Sequence, residues 1–316
     1  MREYVAVIGS GMMGSGIGAM SALAGNKTIL VDVDESRVQA GKERALSCIR
    51  LRVEQGLNTE DEARRAQELL ETSTDTEAAA GQAKMVIEAI VENLQAKQEL
   101  FARLDQILPQ EVPICSNTSG LRITDISSKC AVHPERTVTT HFWLPAHLVP
   151  LVEVVMGDKT EESIAIQVRD ELKRWKKSPV LVRRDLPGQL ANRVFQAIIR
   201  ESIAIVASGL ASAEDVDTAI SCGMAMRFPE WGPLKHLDAI GLDLGLSVQE
   251  TVLPDINRDD HANDYLKKLV ADGNLGVKTG KGFYDWSKRS IETDMQKRDQ
   301  FIIEAVKATS RLDQES

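Results

Sequence analysis

Glu153 is the only charged group in the apolar run Leu148-Val-Pro-Leu-Val-Glu-Val-Val-Met156 of this 316-residue chain. A carboxylate buried in a strand is costly unless something pairs with it, so a partner is expected. His141 ends the preceding apolar run. If the two runs form an antiparallel hairpin, His141 falls within about one residue of facing Glu153, where Cβ atoms approach to ~5 Å. A carboxylate against an imidazole sets its tautomer and stabilises the imidazolium formed when it takes a proton. That suits a general base which removes a hydroxyl proton while hydride leaves the same carbon for a nicotinamide. An isolated His–Glu pair reads by default as structural, and the rest of the chain must decide.

The deciding feature is Gly9-Ser-Gly11-Met12-Met13-Gly14, which directly follows an apolar β-branched run and opens a helical pattern. In a dinucleotide loop the first glycine makes the tight turn, the second lets a pyrophosphate approach the backbone, and the third lets helix pack on strand. The helix N-terminus then offers oriented N–H groups to the phosphates. Asp32 lies 18 residues beyond Gly14, at the end of the second apolar run. A carboxylate there accepts from the adenosine ribose hydroxyls and repels a 2′-phosphate, which favours NAD over NADP. The second glycine cluster, Gly276 to Gly282 with Lys281, lacks P-loop spacing and is rejected as a nucleotide site.

The elements that would position these groups are short strands at 4–8, 28–33, 85–90, 113–116, 138–142, 151–156 and 179–182. Helical patterns at 38–54, 59–70, 94–108 and 161–175 alternate with them. This alternation predicts an α/β fold, a Rossmann-type mostly parallel sheet. After Asp185-Leu-Pro-Gly188 the strands stop, and 189–208, 212–221, 242–252 and 260–271 read as helices. The expected organisation is an NAD-binding domain over 1–185, an all-helical C-terminal domain for substrate and dimerisation over 186–287, and a helical tail over 288–316.

A net charge of −9 removes the positive field on which nucleic-acid and anionic-lipid binding depend, so neither partner is expected. The 22 uncharged residues from Val5 to Asn26 imitate a signal peptide, but glycines at 9, 11, 14, 16 and 18 spoil an apolar helix. Four dispersed cysteines and no metal-ligand spacing point to reduced thiols, a cytoplasmic location and no metal. Of the other histidines, His133 and His261 read as solvated, His147 as a loop residue near the pocket mouth, and His236 as helix surface.

Taken together, these motifs resemble the 3-hydroxyacyl-CoA dehydrogenase family from about residue 3 to residue 286. The resemblance rests on Gly9-Ser-Gly-Met-Met-Gly-Ser-Gly, Glu88-Ala-Ile-Val-Glu-Asn, Ser116-Asn-Thr-Ser-Gly, His141-Phe followed by Leu-Val-Glu-Val-Val, Asp185-Leu-Pro-Gly with Asn192-Arg, and Lys278-Thr-Gly-Lys-Gly-Phe-Tyr. It implies that His141 is the catalytic base and Glu153 its orienting partner. Ser119 would hydrogen-bond the reacting oxygen, and Asn192 would complete the polar clamp. Asn117, Glu92 and Lys97 would line the cofactor beside Met12, Met13 and the glycines. It further implies reversible NAD-dependent oxidation of a 3-hydroxyacyl-CoA, a place in fatty acid metabolism, and a homodimer made through the helical domain. The alternative from another class is a nucleotide-binding structural protein, which has no need to keep His141, Glu153, Ser119 and Asn192 together.

The chain departs from the family pattern in several places. Phe142-Trp143-Leu144-Pro145 stands where Phe-Phe-Asn-Pro is typical, Gly120 where a serine is usual, and Gln189 where an aromatic is usual. Arg227, in Met-Ala-Met-Arg-Phe-Pro-Glu-Trp-Gly-Pro, resembles branches acting on free hydroxy acids such as gulonate or carnitine, where arginine can grip a carboxylate. A surface arginine fits it equally well. The stretch Ala40 to Glu71, which would cover a coenzyme A tail, carries six basic and seven acidic residues and so forms no basic patch, although Arg50 and Arg52 could serve singly. Acyl-CoA is therefore the leading substrate expectation, with a free 3-hydroxy acid as the alternative.

Overall fold

The computed structural model describes residues 4–315, in two compact units, Met1–Ala191 and Asn192–Ser316. The first unit begins β1 (Tyr4–Ile8), α1 (Met12–Leu23), β2 (Lys27–Val31), α2 (Glu35–Glu54), α3 (Glu60–Glu68), β3 (Leu70–Ser73), α4 (Thr76–Gly81) and β4 (Ala83–Glu88). It continues α5 (Leu94–Ile107), β5 (Ile114–Ser116), α6 (Ile123–Ile126), β6 (Thr137–Phe142), β7 (Leu151–Met156), α7 (Glu162–Arg174) and β8 (Ser178–Val182). The eight strands form one sheet in the order β3-β2-β1-β4-β5-β6-β7-β8. The first six run parallel, β7 is antiparallel to β6, and β8 is parallel to β7. The strand order reverses between β1 and β4, which opens a crevice at their C-terminal ends where ligands of such sheets bind.

Helices cover both faces of the sheet, which is why its central strands are apolar throughout rather than alternating. Along β1, Val5 and Val7 join a core with Ile17, Leu30, Ile49, Ile87 and Trp175, while Ala6 and Ile8 face Ile29, Val86, Phe101, Leu104 and Ile114. Each fully buried aliphatic side chain of this kind contributes roughly 1.5–3 kcal/mol. Helix starts are capped by side chains: Asp34 accepts from Arg37 N–H, Asn93 accepts from Ala96 N–H, and Thr59 with Glu62 forms a capping box.

Two glycines of the loop after β1 are required by close packing. Gly9 has φ +97°, and a Cβ there would lie 2.5 Å from the Ala89 carbonyl oxygen; a Cβ on Gly14 would lie 1.8 Å from that of Gly9. A side chain at Gly14 would push α1 off the loop, and one at Gly9 would push the loop off the segment that follows β4.

Some sequence expectations shift. The segment 59–70 does not end as a helix: α3 stops at Glu68, and Leu70 opens β3. That strand sits at the sheet edge with Leu70 as its only buried residue, so its Leu-Glu-Thr-Ser sequence carries almost no strand signal. The expected strands 28–33 and 85–90 end earlier, at Val31 and Glu88, because the chain leaves the sheet there to line the crevice.

The second unit contains α8 (Ala191–Ser208, whose first residue closes the first unit), α9 (Ala213–Thr218), α10 (Pro233–Ile240), α11 (Leu242–Val252), α12 (Asp264–Ala271) and α13 (Ile291–Glu315). α9 continues into a π-helical turn, Ala219–Met224. The sequence expectation placed His236 on a helix without giving its bounds; that helix is α10, which starts on Pro233. Among the described residues no helix is long and apolar enough to cross a membrane.

Candidate active site

The glycine loop joins β1 to α1, and Asp32 follows β2 directly. Asp32 Oδ2 accepts from Ser10 N–H at 2.9 Å and Ser10 Oγ–H at 2.8 Å, and Oδ1 accepts from Val33 N–H. Burial would raise this carboxyl, but the hydrogen bonds from Ser10 and Val33 outweigh it and hold it below the usual range. A carboxylate is thus fixed against the loop with acceptor capacity left over. The N-cap Gly11 has no side-chain cap bond, and a Cβ there would meet nothing within 4 Å. Met12 is 70% exposed beside it. An uncapped helix start facing open space, with a carboxylate on the neighbouring strand, fits the pyrophosphate and ribose of a dinucleotide.

His141 and Glu153 face each other directly across the β6–β7 pair, closer than the hairpin argument required. His141 Nδ1 lies 2.8 Å from Glu153 Oε2, and Nε2 lies 3.1 Å from Ser119 Oγ. Glu153 is fully buried, and its other oxygen accepts from Leu190 N–H at 2.9 Å and Ala191 N–H at 2.8 Å. Trp143 Nε1–H donates to Oε2 at 3.0 Å. Burial alone would raise the Glu153 carboxyl; the donors from His141, Ala191, Trp143 and Leu190 overcome it and bring it down to about 2. An ionised carboxylate only accepts, so His141 Nδ1 carries the hydrogen and neutral Nε2 presents a lone pair. An alcohol held at Nε2 can therefore hand over its proton.

A second buried charge cluster flanks this pair at the end of β4. Glu88 is fully buried and accepts from Lys97 Nζ, from Ser116 Oγ–H at 2.6 Å and from Ile90 N–H at 2.7 Å. Lys97 also reaches Glu92 at 3.3 Å, and Glu92 accepts from the Thr118 hydroxyl and from Gly120 N–H. Burial pushes Glu92 up, but Thr118 and Lys97 hold it below its ordinary range. Glu92 and Lys97 therefore do meet, and they anchor the turn that carries Ser119. Glu92 lies four residues beyond the end of β4. Asn117 links the same turn to the His141 strand: its Oδ1 accepts Phe142 N–H at 2.9 Å.

Sequence reasoning missed three supports. Glu88 was visible only as a motif letter, although a lone acid ending an apolar strand is the same signal that exposed Glu153. Gln189, at φ +53°, donates through Nε2 to the Thr118 carbonyl at 3.1 Å. Lys177 is buried and donates to the Ala146 and Val149 carbonyls, while Arg52 donates to that of His147. These two cations fasten the loop between β6 and β7. Arg52 is thus a buried structural residue, which corrects the expectation that it could meet a coenzyme A tail. Arg44 is likewise engaged, on the Ser10 carbonyl.

Asn192 and Arg227 belong to the second unit. Asn192 is the second residue of α8, and its Oδ1 lies 3.4 Å from Gln196 Nε2. Arg227 lines a cavity of about 340 Å³ with Phe228, Trp231, His236 and Gln249. The Nδ1 of His236 is buried there without a hydrogen-bond partner, so this residue is not the simple helix-surface group expected. His133 pairs with Glu135 at 3.0 Å and is only partly exposed, again unlike a solvated histidine. Among the described residues no group of acidic, His and Cys side chains is arranged to hold a metal.

Comparison with known proteins agrees with this geometry. The NAD binding domain of 3-hydroxyacyl-CoA dehydrogenase matches residues 4–186, and the C-terminal domain of the same family matches residues 188–286. The chain is 36% identical over 289 residues to a probable 3-hydroxybutyryl-CoA dehydrogenase of Bacillus subtilis, covering 91% of this chain and 99% of that protein. It is 30% identical to the 5-formyl-3-hydroxy-2-methylpyridine 4-carboxylate 5-dehydrogenase of Mesorhizobium japonicum, covering 96% and 97%. A crystal structure of an enzyme of that activity, described as an NAD+ dependent dismutase, superposes with a TM-score of 0.87 at 26% identity over 98% of this chain and 99% of that one. The (S)-3-hydroxybutyryl-CoA dehydrogenase of Ralstonia eutropha superposes with a TM-score of 0.74 at 30% identity, covering 91% and 100%. The chain is a member of the 3-hydroxyacyl-CoA dehydrogenase family, an NAD-dependent oxidoreductase.

Proposed function

We propose that the protein oxidises a secondary hydroxyl of a small free hydroxy acid to the carbonyl, with His141 as base. The observation that carries the chemistry is the His141–Glu153 pair, with Nε2 turned toward Ser119. NAD, when bound, supplies the hydride acceptor. His141 Nε2 takes the hydroxyl proton, Glu153 holds the resulting imidazolium, and Ser119 orients the reacting oxygen. Asp32 and the uncapped start of α1 hold the nucleotide, with Glu92, Lys97 and Asn117 shaping its nicotinamide side.

Two observations favour a free acid. Arg52, one of the two α2 arginines that could meet a coenzyme A tail, is committed to the His147 carbonyl, which leaves the exposed Arg50 for that role. The pyridine carboxylate dehydrogenase shares nearly the whole length of the chain at a TM-score of 0.87. Arg227 is the proposed partner of the substrate carboxylate, through its guanidinium. The acyl-CoA reading, with its place in fatty acid metabolism, is supported by the 36% identical Bacillus relative. NADH formation with 3-hydroxybutyryl-CoA, 3-hydroxybutyrate, gulonate, carnitine and 5-formyl-3-hydroxy-2-methylpyridine 4-carboxylate separates the two. Turnover of the thioester alone would refute the free-acid reading.

We also propose a cytoplasmic homodimer formed through the helical unit. In support, α8 buries no residue, and an apolar cavity of about 870 Å³ lies among Phe195, Ile199, Ile203, Leu266 and Phe283. Val194, Phe195, Leu234, Leu244 and Leu246 of the same unit are exposed apolar side chains that a partner copy could cover. A monomeric mass by light scattering at micromolar concentration would refute it.

A further inference from the structure

Trp143 is one of the chain's departures from the usual family pattern, and its indole N–H ends on the carboxylate that orients His141. Glu153 Oε2 accepts from two donors, His141 Nδ1–H at 2.8 Å and Trp143 Nε1–H at 3.0 Å, while Oε1 accepts from Leu190 and Ala191 N–H. Four donors fill the four acceptor positions of a carboxylate that is 0% exposed. A phenylalanine in place of Trp143 would leave one position of Oε2 empty.

We propose that Trp143 is a positioning residue of the acid–base pair, whose N–H both fixes Oε2 and moderates how strongly Glu153 favours the imidazolium of His141. An oxygen shared between two donors gives less of its charge to each, so the imidazole releases its proton more readily than it would from an undivided carboxylate. In the oxidation direction this keeps neutral His141 available at lower pH. The proposal rests on the reading of His141 as the base.

The surroundings leave Glu153 as the dominant influence. From β7, Glu153 is the carboxylate bonded to His141; from the turn after β5, Ser119 and Asn117 are neutral. Beyond that turn, Glu92 is paired with Lys97. From the edge of β8, Lys177 lies 5.9 Å from the Phe142 ring and is turned to the Ala146 and Val149 carbonyls. The segment before α8 contributes only the two backbone N–H groups. The indole is also held in place: its ring centroid lies 5.8 Å from that of His141 at a 51° tilt, and Lys177 and Arg52 fasten the loop that follows it.

The test replaces the N–H and keeps the shape. Trp143→Phe and the sulfur isostere of tryptophan, β-(3-benzothienyl)alanine at position 143, are compared with wild type in two measurements. One is the pH profile of kcat/KM for oxidation. The other is the NMR titration of the His141 ring, assigned by its loss in His141→Gln. Both substitutions are expected to move the acid limb and the His141 titration up by about half to one pH unit, the size of removing one of two donors from an ionised acceptor. Cofactor affinity should stay unchanged. If Trp143→Phe folds poorly, the isostere decides. An unmoved His141 titration in the isostere overturns the proposal. A shifted titration in a protein whose turnover is insensitive to His141→Gln upholds Trp143 and defeats the assignment of the base instead.

Discussion

Replacing Glu153 by Gln tests the whole arrangement, because it changes one atom of a group held by four donors. The amide has two orientations. With its oxygen toward Leu190 and Ala191, its NH2 faces Trp143 N–H and His141, and one donor is left without an acceptor. With its oxygen toward Trp143 and His141, its NH2 opposes two backbone N–H groups, and both are left unsatisfied. Each buried donor without a partner costs about 1–3 kcal/mol, so the first orientation is preferred. In it the amide donates to Nδ1, and the hydrogen of His141 moves to Nε2. The lone pair that should receive the substrate proton is then gone. A comparable exchange of carboxylate for amide behind a catalytic histidine lowers kcat by about 10⁴, and a loss of roughly 10³ to 10⁴ is expected here. Single-turnover NADH formation would measure it, with NADH binding by fluorescence expected to be unchanged. A rate within tenfold of wild type would refute the tautomer argument.

The same carboxylate gives a pH prediction. Its donors hold it at about 2 in the folded chain against an ordinary 4.5, so its contribution is complete above about 4.5 and is lost as pH falls toward 2. The stability difference between wild type and Glu153→Gln should shrink across that window; a constant difference would show that ionisation is not involved. His141→Ala should remove most of the rate with NAD affinity nearly unchanged, and near-normal turnover would defeat its role as base. Asp32→Ala should weaken NAD by about 10- to 100-fold, the scale of hydrogen bonds to a charged group, while weakening NADP less; equal losses for both cofactors would remove Asp32 from cofactor selection. Burial, then the nearby charge of Arg52, pushes Lys177 down to about 7. The unfolded chain therefore binds this proton more tightly, and wild-type stability should rise between pH 7 and about 10, a rise that Lys177→Met abolishes. Identical pH slopes in the two proteins would show that Lys177 stays charged on its two carbonyls throughout.

What the residues alone reveal depends on how local the cause is. The glycine loop was legible because the backbone there admits only certain residues, and Gly9 and Gly14 stand within contact distance of carbonyl oxygens. Glu153 was legible because an acid in an apolar run requires a partner, and the two-residue period of strands limits where that partner lies. β3 was not legible, since an edge strand with one buried residue has no pattern to show. Arg52 and Lys177 were misread or overlooked for a related reason: a basic residue on a helix or at a strand edge looks solvated until a distant loop supplies carbonyls to bury it.

The sequence by itself determined the Rossmann-type alternation of strands and helices, apart from the edge strand β3, the dinucleotide loop with its carboxylate, and the pairing of His141 with Glu153. These follow from backbone sterics, from strand periodicity and from the cost of an unpaired buried charge. Only the tertiary structure decided how that charge is satisfied. The Leu190 and Ala191 N–H groups and the Trp143 indole converge on Glu153 from segments up to 38 residues away in the chain. The same is true of the two cations that fasten the β6–β7 loop. Hydrogen bonds select on distance and direction, and neither is fixed until sheet, loop and helix start are packed together.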